Sequence, residues 1–186
     1  MTTRKSKNTK PIVLIRKKEL LQIGLFMGLC IYMAQCTSSY KTTRPAIETR
    51  VSGTAEMRKR QDISTYAKKY IGSKYQYAGR SPQGFDCSGF THFIMKNYDV
   101  DLVPISREQE KQGKVIAVDK AKPGDLLFFR RSKNGTVFHV ALVVANDKDG
   151  TVIVHSSSSR GVVMDNISTN SYWKSKVITA RDVLSK

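Results

Sequence analysis

Cys87 lies in the stretch Phe85-Asp86-Cys87-Ser88-Gly89-Phe90 and is the only cysteine beyond position 36. Ser81-Pro82-Gln83-Gly84 before it signals a turn, and Phe90, Phe93 and Ile94 after it have helical apolar spacing. Asp86 is a favourable N-cap residue, which puts Cys87 in the first turn of that helix. Unpaired N–H groups and the helix dipole favour an anion there. The thiol is therefore expected to have a lowered pKa and to act as a nucleophile. The competing reading is an inert core cysteine, the commoner state of a lone thiol.

A thiol nucleophile needs a base, and the chain offers three histidines, His92, His139 and His155. His92 follows Cys87 on the same predicted helix, roughly 140° around it, and so points elsewhere. His139 sits within the strand-like Val137-Phe138-His139-Val140-Ala141, and His155 closes the next strand, before Ser156-Ser157-Ser158-Ser159. A hairpin between these strands brings both histidines to one end of the sheet. Each histidine alone is more often structural. Together with Cys87 they form a nucleophile, a base and an orienting group: His139 takes the thiol proton, and His155 holds the other ring nitrogen of His139.

The elements that position these residues fall into two halves. Ile63, Tyr66, Ala67 and Tyr70 predict an amphipathic helix with Asp62 near its start. The aromatic loop Tyr75-Gln76-Tyr77-Ala78-Gly79 follows, then the Cys87 helix to about Tyr98, and a short helical turn capped by Ser106. Strands are expected at Val115–Val118, Leu126–Phe129, Val137–Ala145, Thr151–Val154 and Val162–Met164, and Tyr172 to Leu184 as a docking segment with an aromatic anchor. Helices first and antiparallel strands afterwards give an α+β fold.

The net charge of +17 over 186 residues suits a polyanionic partner. The basic residues are scattered and match no nucleic-acid-binding motif, so a solvated basic surface is the plainer reading. There is no CxxC and no zinc-finger spacing of cysteine and histidine, so no metal or other cofactor is expected. Residues 1–36 read as a signal peptide: a basic start, the uncharged run Leu20 to Ala34, then Gln35-Cys36. That ending resembles a bacterial lipoprotein signal, which implies export and lipidation of Cys36, although Gln35 departs from the usual small residue. An uncleaved membrane anchor and ordinary secretion are the other options. Residues 37–58 are polar and read as a flexible tether, leaving 59–186 as the domain.

From about Ile63 to Leu184 the chain resembles the NlpC/P60 family of papain-like cysteine peptidases, which act on bacterial cell-wall peptides. The resemblance is carried by Tyr75-Gln76-Tyr77-Ala78-Gly79, Gly84-Phe85-Asp86-Cys87-Ser88-Gly89-Phe90, Pro123-Gly124-Asp125-Leu126, His139-Val140-Ala141 and His155 with its serines. Arg160-Gly161-Val162-Val163 and Tyr172-Trp173 are similar to single-domain lipoprotein members that cut peptidoglycan cross-links. The resemblance implies a papain-like fold, with N-terminal helices on an antiparallel sheet. It also implies Cys87 as nucleophile, His139 as base, His155 as the third polar member and Tyr75 beside the oxyanion. Asp86 and Ser88 match residues that line the substrate groove. The implied substrate is peptidoglycan, cut at the D-alanyl–diaminopimelate cross-link, with the γ-D-glutamyl–diamino-acid bond as the alternative. Ala78 stands where a second glycine is usual, and the His139-to-His155 spacing is long. The rivals are a lipid-anchored wall-binding protein without activity and a lipid acyltransferase on a related scaffold.

Overall fold

The computed structural model describes residues 45–185, with side chains from Gly53 onward. The first element is helix α1 (Pro45–Lys68), which begins inside the stretch expected to be a tether. Its early turns hold few large apolar residues and read as polar, although Ala55, Glu56, Met57 and the Lys/Arg residues are strong helix formers. Pro45 occupies the first helical position, where its missing N–H costs nothing. The later turns bury Arg60, Ile63, Ser64 and Ala67. Cys36 and the rest of 1–44 lie outside the described residues.

A small hairpin, β1 (Arg80–Ser81) and β2 (Gly84–Phe85), turns the chain into helix α2 (Cys87–Lys96). Helix α3 (Ser106–Gln109) follows, and its N-cap is Ile105, not Ser106: no side chain caps it. Then come β3 (Lys114–Ile116), a 3₁₀ turn at Val118–Lys120, β4 (Leu126–Arg130), β5 (Val137–Asp147), β6 (Gly150–Ser157), β7 (Gly161–Asn166), helix α4 (Ser171–Lys174) and β8 (Val177–Asp182). The six longer strands form one antiparallel sheet in the order β3-β8-β4-β5-β6-β7. The C-terminal segment is thus more than a docking anchor: β8 lies inside the sheet between β3 and β4. Val177 and Thr179 supply the β-branched residues that fit a pleated surface, and Ala180 is buried.

The sheet is buried on both faces because its strand residues alternate. Leu126, Phe128, Val140, Leu142, Val144 and Val154 pack with Ile63, Ala67, Phe90 and Ile94 of α1 and α2. Leu127, Phe129, Ala141, Val143 and Ile153 pack on the other face with Ile167, Trp173 and Ala180. This mixed helix and antiparallel-sheet architecture is the α+β fold expected from the sequence. No described helix is long and apolar enough to cross a membrane.

Candidate active site

The turn before α2 sets where Cys87 stands. Asp86 is extended and caps the helix, its Oδ1 accepting the Gly89 N–H at 2.6 Å and the Ser88 hydroxyl at 3.0 Å. Ser88 is buried and its hydroxyl also lies 3.3 Å from the Pro104 carbonyl. Gly89 must be glycine, since a Cβ there would run into the carbonyl of Gly79. The small hairpin is thereby pressed against the helix, and Tyr75, bridged to Phe85, is carried to the same place. Ala78 in that loop has φ of 54°, the left-handed conformation for which glycine is the cheaper residue.

The base of the β5–β6 hairpin supplies the histidines. Pairing between these strands runs down to Leu142 opposite Val154 and stops there. Beyond that point the start of α2 takes over the hydrogen bonds that a partner strand would make. The Val140 N–H donates to the Cys87 sulfur, and the Ser156 hydroxyl donates to the Phe85 carbonyl at 2.7 Å. The sulfur therefore stands beside the residue that follows His139. His139 and His155 share one sheet face, and His139 Nε2 lies 2.9 Å from His155 Nδ1. Trp173 stacks on His139 with ring centroids 4.8 Å apart and meets His155 edge-on at 4.9 Å.

These groups open onto a cavity of about 500 Å³ lined by Tyr75, Cys87, His139, Arg160, Tyr172 and Trp173, with Ser156 to Ser159 on one wall. The structure thus brings Cys87, His139, His155 and Tyr75 together. His92 is held away, its Nδ1 on the Leu102 carbonyl. Asp86 and Ser88 do not line the cavity; they hold the helix start, because the cap and the Pro104 carbonyl occupy their inward-facing oxygens.

Electrostatics correct one expectation. Burial pushes the Cys87 thiol up to about 11, with the Asp86 carboxylate adding to it; the amides of Val140, Ser88 and Cys87 itself offset only part. The helix start is too deeply covered for its dipole to win. Burial and the neighbouring His155 hold His139 well below the usual histidine range. His155 is lowered by burial, partly offset by Asp165. The resting pair is a neutral thiol and a neutral imidazole. Such a pair can deliver a thiolate only as the proton moves during attack. The Tyr75 hydroxyl is raised by burial and by Cys87 and Asp86, so it stays a proton donor.

One member escaped the sequence reading. Asp165 on β7 places Oδ2 2.9 Å from His155 Nε2 and 3.0 Å from Trp173 Nε1. Arg160 binds both its oxygens, at 3.1 and 2.5 Å. The strand expected at Val162–Met164 stops one residue short of it. The available signal was an acid two positions beyond Val163, on the same strand face. Among the described residues no group of three or more His, Cys, Asp or Glu could hold a metal ion.

Comparison with known proteins agrees with this arrangement. The family model described as "NlpC/P60 family" matches residues 72–182. The "Gamma-DL-glutamyl hydrolase" of Bacillus subtilis is 36% identical over 124 residues, covering 65% of this chain and 29% of that protein. The Escherichia coli protein named "Probable endopeptidase NlpC" is 32% identical over 122 residues, covering 65% of this chain and 76% of its own length. Among solved structures, an NlpC/P60 family protein from Bacillus cereus superposes with a TM-score of 0.62 at 33% identity, over 68% of this chain and 40% of that one. The chain therefore spans less than half of the Bacillus proteins it resembles. A matched domain that contains the whole cavity and both histidine strands places the chain in the NlpC/P60 family.

Proposed function

We propose that this chain is a cysteine endopeptidase that hydrolyses peptide cross-links of bacterial peptidoglycan, at the D-alanyl–diaminopimelate bond. The observation that carries the reading is the His139–His155 hydrogen bond set beside the Cys87 sulfur on the wall of an open cavity. In this reading the Cys87 sulfur attacks the amide carbonyl as its proton passes to His139 Nδ1, the ring nitrogen not engaged by His155. The C–N bond breaks, and the leaving amine takes the proton from His139. A water molecule then attacks the thioester, giving its proton to His139, and the thiol is regenerated. Stacking on Trp173 stabilises the imidazolium that forms twice in the cycle.

The oxyanion is held by the Tyr75 hydroxyl and the Cys87 backbone N–H. Each such donor is worth about 2.7–4 kcal/mol of transition-state stabilisation. Asp86 and Ser88 serve the cap at the start of α2. The Bacillus subtilis relative is named for a γ-glutamyl bond, which makes the γ-D-glutamyl–diamino-acid bond the second reading. The proposed location is the cell envelope after export, with Cys36 lipidated; the mass of the mature N-terminus, with and without Cys36→Ala, tests that.

The activity test is digestion of purified peptidoglycan by the full chain in detergent, beside Cys87→Ala, with products read by mass spectrometry. Loss of cross-linked dimers with the wild type alone is the expected result. Shortened stem peptides would move the cut to the γ-D-glutamyl bond. No product from a folded wild type would leave a wall-binding protein as the better description.

A further inference from the structure

The acid that ends the histidine series has an assignable task. We infer that Asp165 is a positioning residue that fixes the tautomers of both histidines, so that His139 presents a bare Nδ1 to Cys87. This rests on the cysteine-peptidase reading for its kinetic consequence but not for its spectroscopic one.

Asp165 receives donors only: His155 Nε2 at 2.9 Å, Trp173 Nε1 at 3.0 Å, and Arg160 Nη1 and Nη2 at 3.1 and 2.5 Å. Burial would raise its carboxyl, but Arg160 and His155 together hold it below the usual carboxylate range, so it is an acceptor at neutral pH. His155 must then carry its proton on Nε2. A neutral His155 has no second N–H, so its Nδ1 is an acceptor. The 2.9 Å bond from that Nδ1 can be made only if His139 carries its proton on Nε2. Its Nδ1 is left as a lone pair. One carboxylate thereby sets the direction of two successive hydrogen bonds, and the series ends in the group a base needs.

Without Asp165, His155 is free to protonate at Nδ1 and donate to His139 Nε2. His139 would then hold its proton on Nδ1, facing the thiol, and could not accept another. An aspartate-to-asparagine change that produces a wrong histidine tautomer in a serine protease lowers kcat about 10⁴-fold. Asp165→Ala is therefore expected to lower kcat about 10²–10⁴-fold with a much smaller change in KM. Asp165→Asn should recover part of the loss. The position of Oδ2 receives three donors and that of Oδ1 one, so an asparagine settles with its oxygen toward His155.

The test pairs peptidoglycan hydrolysis with ¹⁵N NMR of the imidazole rings in the full chain, which holds only three histidines. His139 and His155 are both expected as Nε2–H tautomers in the wild type, and in Asp165→Asn. In Asp165→Ala, with thermal unfolding still cooperative, at least one should become a mixture or switch to Nδ1–H. Unchanged tautomers in Asp165→Ala would overturn the inference whether or not the protein hydrolyses peptidoglycan. So would unchanged kcat in an active preparation. A wild type without activity but with the expected ring signatures would instead sink the peptidase reading and leave the tautomer assignment standing.

Discussion

Two arginine–aspartate systems are built into this molecule, and they end differently. Arg60 is 3% exposed and spends its guanidinium on Glu56, Asp125, Asp182 and the Pro123 carbonyl. It ties α1 to the turn before β4 and to the end of β8, and every partner is satisfied within the cluster. Arg160 has a side chain 47% exposed at the cavity and also closes on an aspartate. There the aspartate passes the polarity on through His155 to His139, and the series stops at an unfilled acceptor. A closed set of charges holds elements together. An open set leaves one group poised for a proton, and that group faces the cavity.

Cutting each system once separates what the two do. His139→Ala should lower peptidoglycan hydrolysis by about 10⁴-fold or more, with a smaller loss of stability than Arg60→Ala brings. Arg60→Ala should do the reverse. It strands two buried carboxylates and is expected to cost about 3–5 kcal/mol in urea unfolding, with activity per folded molecule unchanged. Equal losses of stability from both would erase the distinction. A smaller effect is expected from Tyr75→Phe, which keeps the ring and removes one donor to the oxyanion. It should lower kcat roughly 10²–10³-fold with little change in KM.

The closed system also has a pH signature. Burial alone would raise the Asp182 carboxyl, but hydrogen bonds from Ser185 and Leu184 and from Arg60 hold it down to about 2. The unfolded carboxyl titrates near 4. The stabilisation is therefore complete above about pH 4 and is lost as pH falls toward 2, and it amounts to about 2 kcal/mol. The stability difference between wild type and Asp182→Asn should shrink over that interval; a difference that stays constant to pH 2 would contradict it. The smallest effect lies in the loop between the two systems. Ala78→Gly relieves a left-handed alanine and should raise stability by about 1 kcal/mol, read as a shift in thermal midpoint.

Much of this was legible in the chain because the signals are local. Asp86 before Cys87 specified a capped helix start, and the hairpin read from the strands of His139 and His155 put both histidines at one end of the sheet. The β5–β6 hairpin closes in a two-residue turn at Lys148-Asp149, with one register shift between Val143 and Ala145, and both histidines stand at its base. What the sequence withheld depends on the third dimension. The thiol's raised pKa comes from how deeply the helix start is covered, which no spacing reveals. Asp165 reads as one more surface acid until β7 is laid beside β6 and Arg160 folds back on it. The early turns of α1 hold few large apolar residues, so propensity was their clearer mark. The closing strand β8 is built of short β-branched residues that read equally well as a terminal extension.

The parting of β5 from β6 below Leu142 has a consequence for how the molecule comes to life. The sulfur's hydrogen bond from Val140 joins segments distant in sequence, so it forms only when α2 docks against the sheet. Before that step Cys87 is an ordinary flexible thiol with a pKa near 8.5. Afterwards its proton is held more tightly, with the pKa pushed up to about 11, so less of it is thiolate. A pulse of alkylating reagent during refolding would therefore lose its grip on Cys87 at the moment of docking, and the rate of that loss would time the assembly of the site. Long-range closures of this kind are slow compared with helix or hairpin formation. A nascent or partly folded chain would thus carry the Cys87 thiol before His139 stands near it.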